Sequence, residues 1–101
     1  MENLYNWNPI TDEMRKANDF SGLDGFPMTD CEVWITIEHP YCGTVVCMAR
    51  LRTGDYTVDG GYEFNWHDLF TDDVIASIKD KTVTAWKHLY VPRPYEKEDD
   101  I

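Results

Sequence analysis

The sequence predicts an α+β fold: a small antiparallel sheet of about four or five strands with one or two short helices. Three observations favour this fold. Residues 32–38 and 44–53 alternate between apolar and polar side chains, which is typical of strands with one buried face. Turn-forming residues separate the strand-like segments at short intervals. Residues 72–80 carry a helix-start pattern instead.

The N-terminal part predicts one short helix followed by a loop. Pro9 disfavours helical conformation at the residue before it. Thr11 is a suitable N-cap, and the two acidic residues after it complement the helix dipole. We therefore expect a helix over about 12–19 and a loop over 21–30, where glycine, proline and aspartate cluster.

The central part predicts an antiparallel hairpin. The strands at 32–38 and 44–53 are separated by a short turn, so pairing with each other is the natural arrangement. Glycine and aspartate then mark further turns around short strands at 54–66. The apolar side chains on one face of the two long strands are expected to be buried: Val33, Ile35, Ile37, Val45, Cys47 and Leu51.

The C-terminal part predicts a second helix and a last strand. Thr71 would cap a helix over 72–80, in which three apolar residues form a narrow stripe. Residues 82–89 alternate as a strand, with Val83 and Ala85 on its buried face. Prolines keep the following segment extended. We expect a single globular domain over 1–95 and an acidic disordered tail over 96–101.

Composition restricts the partners of the chain. Nine basic residues against nineteen acidic residues give a net charge of −10 at pH 7. Such a charge disfavours direct binding to nucleic acid or to an anionic membrane, and it favours a protein partner with a basic surface. The opening residues lack the basic and apolar regions of a signal peptide, and three cysteines cannot all pair. We therefore expect a cytoplasmic protein.

The motifs of catalysis and metal binding are missing from the sequence. No nucleophile, base and acid stand in a catalytic pattern, and no glycine-rich phosphate loop is present. The spacing of Cys31, Cys42 and Cys47 is far from that of structural zinc motifs. The sequence therefore predicts a protein that is not an enzyme and that has no cofactor and no metal site.

Both ends of the chain and its central strand carry short motifs. They are W-N-P-I at 7–10, E-V-W-I-T at 32–36 and A-W-K-H-L-Y-V-P-R-P-Y at 85–95. This order resembles a family of small phage and prophage proteins, the domain of unknown function 551 family. The chain differs from that pattern at His88, where the family usually has proline, and at the longer approach to Pro92. The resemblance implies a phage or prophage origin and supplies no activity.

Charge and resemblance together predict a noncatalytic phage-type protein that binds and inhibits a host defence effector, as anti-CRISPR proteins do. Acidic residues crowd the second half of the chain, where 55–80 holds seven acids and one base. Phosphate-like rows of carboxylates would suit a basic nucleic-acid channel. The predicted partner-binding residues are Asp55, Asp59, Glu63 and Asp68.

Two alternatives stay open. The chain could be a sponge that sequesters a small nucleotide immune signal in an aromatic pocket, in a homo-oligomer whose subunits share the pocket. The ligand-binding residues would then be Trp34, Trp66, Trp86, His88, Tyr90, Arg93 and Tyr95. The second alternative is a phage accessory protein with no role against host defence.

Overall fold

In the computed structural model, which describes residues 6–89, the strands form one antiparallel sheet. Its six strands follow the order β1-β6-β2-β3-β4-β5. The predicted small antiparallel sheet is confirmed, and it has six strands where four or five were expected. The predicted domain end at 95 and the tail over 96–101 lie outside the described residues. The strands are β1 (Asn8–Pro9), β2 (Glu32–His39), β3 (Gly43–Tyr56), β4 (Tyr62–Asp68), β5 (Val74–Ser77) and β6 (Val83–His88).

The prediction of a first helix over 12–19 is wrong. Thr11 does act as a local cap, since its Oγ1 accepts the Met14 amide at 3.2 Å. Only the 3-10 turn Met14–Lys16 follows, and a second 3-10 turn, Phe20–Gly22, begins where Asp19 accepts the Gly22 amide at 3.0 Å. So short a segment gains little from helical hydrogen bonds alone, and packing against the sheet determines its path instead.

The prediction of a second helix over 72–80 is also wrong. Asp72 has a φ of 62°, outside the helical region, and Val74–Ser77 forms strand β5. The β-branched residues Val74 and Ile75 favour a strand over a helix. Pairing of β5 with β4 satisfies backbone groups that the edge of β4 would otherwise leave open. The apolar spacing therefore fitted a bulged strand as well as a helical stripe.

The sheet coils strongly. β5 and β6 lie four places apart in the strand order, yet only residues 78–82 connect them. In a flat sheet these strands would be roughly 19 Å apart, close to the full reach of such a link. The link contains a turn, because the Asp80 amide donates to the Ser77 carbonyl at 3.0 Å. The two sides of the sheet must therefore approach each other, and register shifts in three strand pairs add the required twist.

The core lies on one side of this coiled sheet, which we call the inner face. Aromatic and aliphatic side chains from β2, β3, β4 and β6 meet there, and the N-terminal segment covers them with Ile10, Ala17 and Phe26. No polar or charged residue is fully buried among residues 6–89. The largest fully buried side chains are Trp66, Trp86, Phe64, Ile35, Leu51, Val33, Val83 and Pro27.

A bulge in β6 changes which side chains reach the core. Strict alternation places Val83 and Trp86 on opposite faces. The pairing of β2 with β6 shifts register between Thr36 and Ile37, so that Ile35 faces Trp86 and Ile37 faces Val83. Both Val83 and Trp86 are consequently buried.

Four of the residues expected in the core are fully buried: Val33, Ile35, Leu51 and Val83. Ile37, Cys47 and Ala85 are only partly buried. The prediction for Val45 is wrong, because its side chain is 40% exposed. Val45 lies opposite Ile37 towards the turn of the β2–β3 hairpin, where the sheet extends past the core.

Candidate functional site

The connection between β3 and β4 forms an acidic projection. Residues 55–63, which we call the acidic hairpin, include three exposed acids and no basic residue. These acids are Asp55, Asp59 and Glu63, three of the four residues predicted to bind a partner. The structure therefore brings these three together on one hairpin.

Hydrogen bonds hold the acidic hairpin in a defined shape. The Thr57 amide donates to the Gly61 carbonyl at 2.8 Å, and the Gly61 amide donates to Thr57 Oγ1 at 3.0 Å. The Tyr62 amide donates to the carbonyl of Asn18 at 2.8 Å, which ties the hairpin to the N-terminal segment. A Cβ at Gly61 would lie 2.6 Å from that same carbonyl, so the approach requires glycine.

Two large exposed side chains accompany the acids. Tyr56 is 72% exposed, and Val58 is fully exposed. The Tyr56 ring packs on that of Tyr62 at 4.7 Å between centroids, with the two hydroxyl groups 3.1 Å apart. The hydrogen bond to Tyr56 raises the pKa of Tyr62. The hairpin thus presents apolar contact area beside its negative charges, a combination suited to protein binding.

Asp68 is separated from this group. It lies at the other end of β4, roughly 17 Å along the strand from Glu63. Its Oδ1 accepts the amides of Thr71 at 3.0 Å and Phe70 at 2.8 Å. The hydrogen bonds from Thr71 and Phe70 lower the pKa of the carboxyl group. Asp68 therefore stabilises the turn between β4 and β5.

The predicted aromatic pocket is not assembled by the described residues. Trp66 and Trp86 are fully buried on the inner face. The Trp86 Nε1 donates to the Gly25 carbonyl at 2.8 Å, and Trp66 packs near Phe26 at 6.2 Å between ring centroids. Both tryptophans thus fill the core and do not line an open pocket.

The other predicted ligand-binding residues are dispersed. Trp34 is only partly buried and lies on the opposite face of the sheet, which we call the outer face, between Met48 and Lys87 in the strand register. His88 approaches Trp86 on the inner face, with 4.9 Å between ring centroids. The remaining three, Tyr90, Arg93 and Tyr95, lie outside the described residues.

An ion-pair network crosses the outer face. Arg52 Nη1 donates to Asp72 Oδ2 at 2.6 Å, and Arg52 Nε lies 3.3 Å from Asp30. The hydrogen bond from Arg52 lowers the pKa of Asp72. His67 Nδ1 lies 2.8 Å from the Asp72 carbonyl oxygen. This network holds Asp72 in its left-handed conformation in the turn before β5, and it gives Arg52 a structural role.

A cleft lined by basic residues was missed by sequence reasoning. It has a volume of about 490 Å³ and lies where the 3-10 turn Met14–Lys16 meets the β5–β6 link. We call it the cationic cleft, and it is lined by Asp12, Arg15, Lys16, Lys79 and Lys81. More than sixty residues separate the two parts in the sequence, so only the coiling of the sheet brings them together.

The cysteines are unpaired, and Cys42 is exposed. Burial, followed by the negative charge of Asp68, raises the pKa of the Cys47 thiol. Within residues 6–89 no three ligating side chains are grouped closely enough to hold a metal ion. Over the same range, no helix is both long and apolar enough to cross a membrane.

No protein-family model matches the chain, and searches of curated proteins and of solved structures found none similar to it. The resemblance to the domain of unknown function 551 family therefore stays a prediction based on short motifs. Two of those motifs are neighbours in space. Asn8 of the first motif pairs with Trp86 of the last, and Pro9 pairs with Ala85, so the two motifs form adjacent strands.

Proposed function

We propose that the chain is a noncatalytic protein that binds a partner protein through the acidic hairpin. The single observation that carries this proposal is an ordered hairpin with three exposed acids, two exposed apolar side chains and no basic residue. The complementary surface is basic, because opposite potentials accelerate encounter and fix the register of a complex.

The apolar side chains are needed for affinity. Exposed ion pairs contribute only about 0.2–1 kcal/mol each, so three carboxylates alone give weak binding. Buried aromatic residues carry most of the energy in many interfaces, and tyrosine is prominent among them. We therefore assign orientation and rate of association to Asp55, Asp59 and Glu63, and most of the affinity to Tyr56 and Val58.

We further propose that the partner is a host defence effector with a basic nucleic-acid channel, and that the chain inhibits it in the host cytoplasm. The support is the chemistry of such channels, which are basic in order to bind phosphates, together with the sequence resemblance to phage proteins. An aromatic nucleotide pocket has less support, since Trp66 and Trp86 are buried in the core.

A phage plating assay tests this function. The full chain is expressed in a panel of bacterial strains, each of which carries one defined defence system, and the plating efficiency of a sensitive phage is measured. We expect restored plating in at least one strain. Replacing Asp55, Asp59 and Glu63 together by lysine should abolish it, and the purified effector should bind the unmodified chain less tightly as salt increases.

The matched control reverses three exposed acids elsewhere, Glu13, Asp24 and Asp73, so that the net charge changes equally. This control should retain most of the activity. Equal loss in both triple variants would show that only net charge matters and would refute the role of the hairpin. Restoration in no strain would favour a phage accessory protein with no defence role.

A further inference from the structure

We infer that the cationic cleft is a binding site for a small anion that carries phosphate groups. Arg15, Lys16, Lys79 and Lys81 are four of the nine basic residues of the chain, and within residues 6–89 they line one cleft with a single carboxylate, Asp12. The volume of about 490 Å³ is within the range of small-molecule sites. This site is distinct from the acidic hairpin and does not depend on the function proposed for it.

The lysines of the cleft are poorly neutralised by the protein. Lys79 and Lys81 form no ion pair with any residue in 6–89, and Lys16 reaches only the exposed Glu13 at 3.3 Å. The acid between the two lysines is engaged elsewhere, because Asp80 Oδ1 accepts hydrogen bonds from the Thr82 amide at 2.9 Å and hydroxyl at 2.7 Å. Lys79 and Lys81 are therefore the two cations of the cleft that an anion would neutralise.

Arg15 is fixed in place. Its side chain is only 10% exposed, with Nη1 at 2.8 Å from Asp12 Oδ1 and Nη2 donating to the Val83 carbonyl at 2.8 Å. Its buried Nε has no hydrogen-bond partner within the described part of the chain. A guanidinium held in this way has lost its rotamer freedom before a ligand arrives, which lowers the entropic cost of binding.

The net charge of the chain favours a small anion over a nucleic-acid polymer as the ligand. At physiological ionic strength the screening length is about 8 Å, so a small anion inside the cleft experiences mainly the side chains that line it, four cations and the carboxylate of Asp12. A nucleic acid would extend past the cleft over the surface of a chain whose net charge is −10. Repulsion along that path opposes polymer binding. Among residues 6–89 no aromatic side chain lines the cleft, so we assign recognition to the phosphate groups and not to a base.

Isothermal titration calorimetry of the full chain at low salt tests this site. The probes are inorganic triphosphate, adenosine triphosphate and a single-stranded oligonucleotide. We expect both small probes to bind. Equal affinity for the two would support phosphate as the recognised group, whereas much tighter binding of adenosine triphosphate would contradict that assignment and show that the base also contributes. An oligonucleotide that binds more tightly than either would overturn the inference of a small-anion site.

The variants locate the site. Replacing Lys79 and Lys81 together by glutamine should weaken triphosphate binding by up to about fivefold for each exposed ion pair that is lost. Replacing both by arginine should retain it. Lys81→Gln has a matched control in Lys87→Gln, which removes the same charge from the outer face.

Thermal melts must show that each variant folds. Loss of binding equal in Lys81→Gln and Lys87→Gln would overturn the assignment, as would an absence of measurable binding by either small probe. Reversing the charges of the acidic hairpin should leave triphosphate binding intact or improve it. The proposal for the cleft and the proposal for the hairpin can therefore be refuted independently of each other.

Discussion

Two tryptophans of the core differ in one hydrogen bond, and exchanging each for phenylalanine measures its contribution to stability. Trp66 and Trp86 are both fully buried. The Trp86 indole N–H donates to the Gly25 carbonyl at 2.8 Å, whereas the Trp66 Nε1 has no acceptor within residues 6–89. We predict that Trp86→Phe lowers the free energy of unfolding more than Trp66→Phe does.

The magnitude follows from what each change leaves behind. Both remove the same atoms, so the loss of buried apolar area and the cavity cost are similar. Trp86→Phe also leaves the Gly25 carbonyl without its donor, whereas Trp66→Phe removes a buried donor that has no partner among the described residues 6–89. A polar group left unsatisfied costs about 1–3 kcal/mol. Gly25 is only partly buried, so water can replace part of the bond, and we expect a difference of about 1–2 kcal/mol.

Urea unfolding followed by far-ultraviolet circular dichroism measures this difference. The midpoints should separate while the slopes stay equal, since the exposed area on unfolding is nearly unchanged. Trp86→Ala provides the upper reference, at about 3–5 kcal/mol for a buried aromatic residue. Equal losses in the two phenylalanine variants, or a larger loss at Trp66, would refute the reasoning and show that the Trp66 N–H is satisfied.

Three further predictions concern the pH dependence, the thiols and the acidic hairpin. The lowered pKa values of Asp68 and Asp72 predict that the free energy of unfolding falls as pH drops from their ordinary value of 3.8 towards the lowered values of the folded state, because the unfolded chain binds more protons in that range. Acid titration followed by circular dichroism measures this. Iodoacetamide should modify Cys42 before Cys47, as mass spectrometry would show. Gly61→Ala should cost about 1–3 kcal/mol in thermal or urea unfolding.

The sequence predicts strands well where one face alone is buried. The register of β2 with β3 follows from alternation, and His39 opposite Gly43 closes the expected hairpin. Alternation fails in β6, where a bulge moves Trp86 onto the inner face beside Val83. A bulge depends on the partner strand, so it has no local signal in the sequence.

The helix over 72–80 could not be excluded by local reasoning. Its capping residue, acidic first turn and apolar spacing are consistent with a helix. The competing interaction is pairing with the free edge of β4, which exists only in the assembled sheet. The cationic cleft could not be predicted from the sequence for the same reason, because Lys16 and Lys79 become neighbours only when the sheet coils.

The coiled sheet also explains how a chain of net charge −10 can hold a basic site. Coiling brings the β5–β6 link against the N-terminal turn, and cations from both segments line the resulting cleft. The long hairpin of β3 and β4 places a different set of charges, all acidic, at its tip. Topology thus divides the charges into two surfaces of opposite sign. Because added salt weakens both, salt dependence alone cannot assign a bound partner to either surface, whereas charge reversal confined to one surface can.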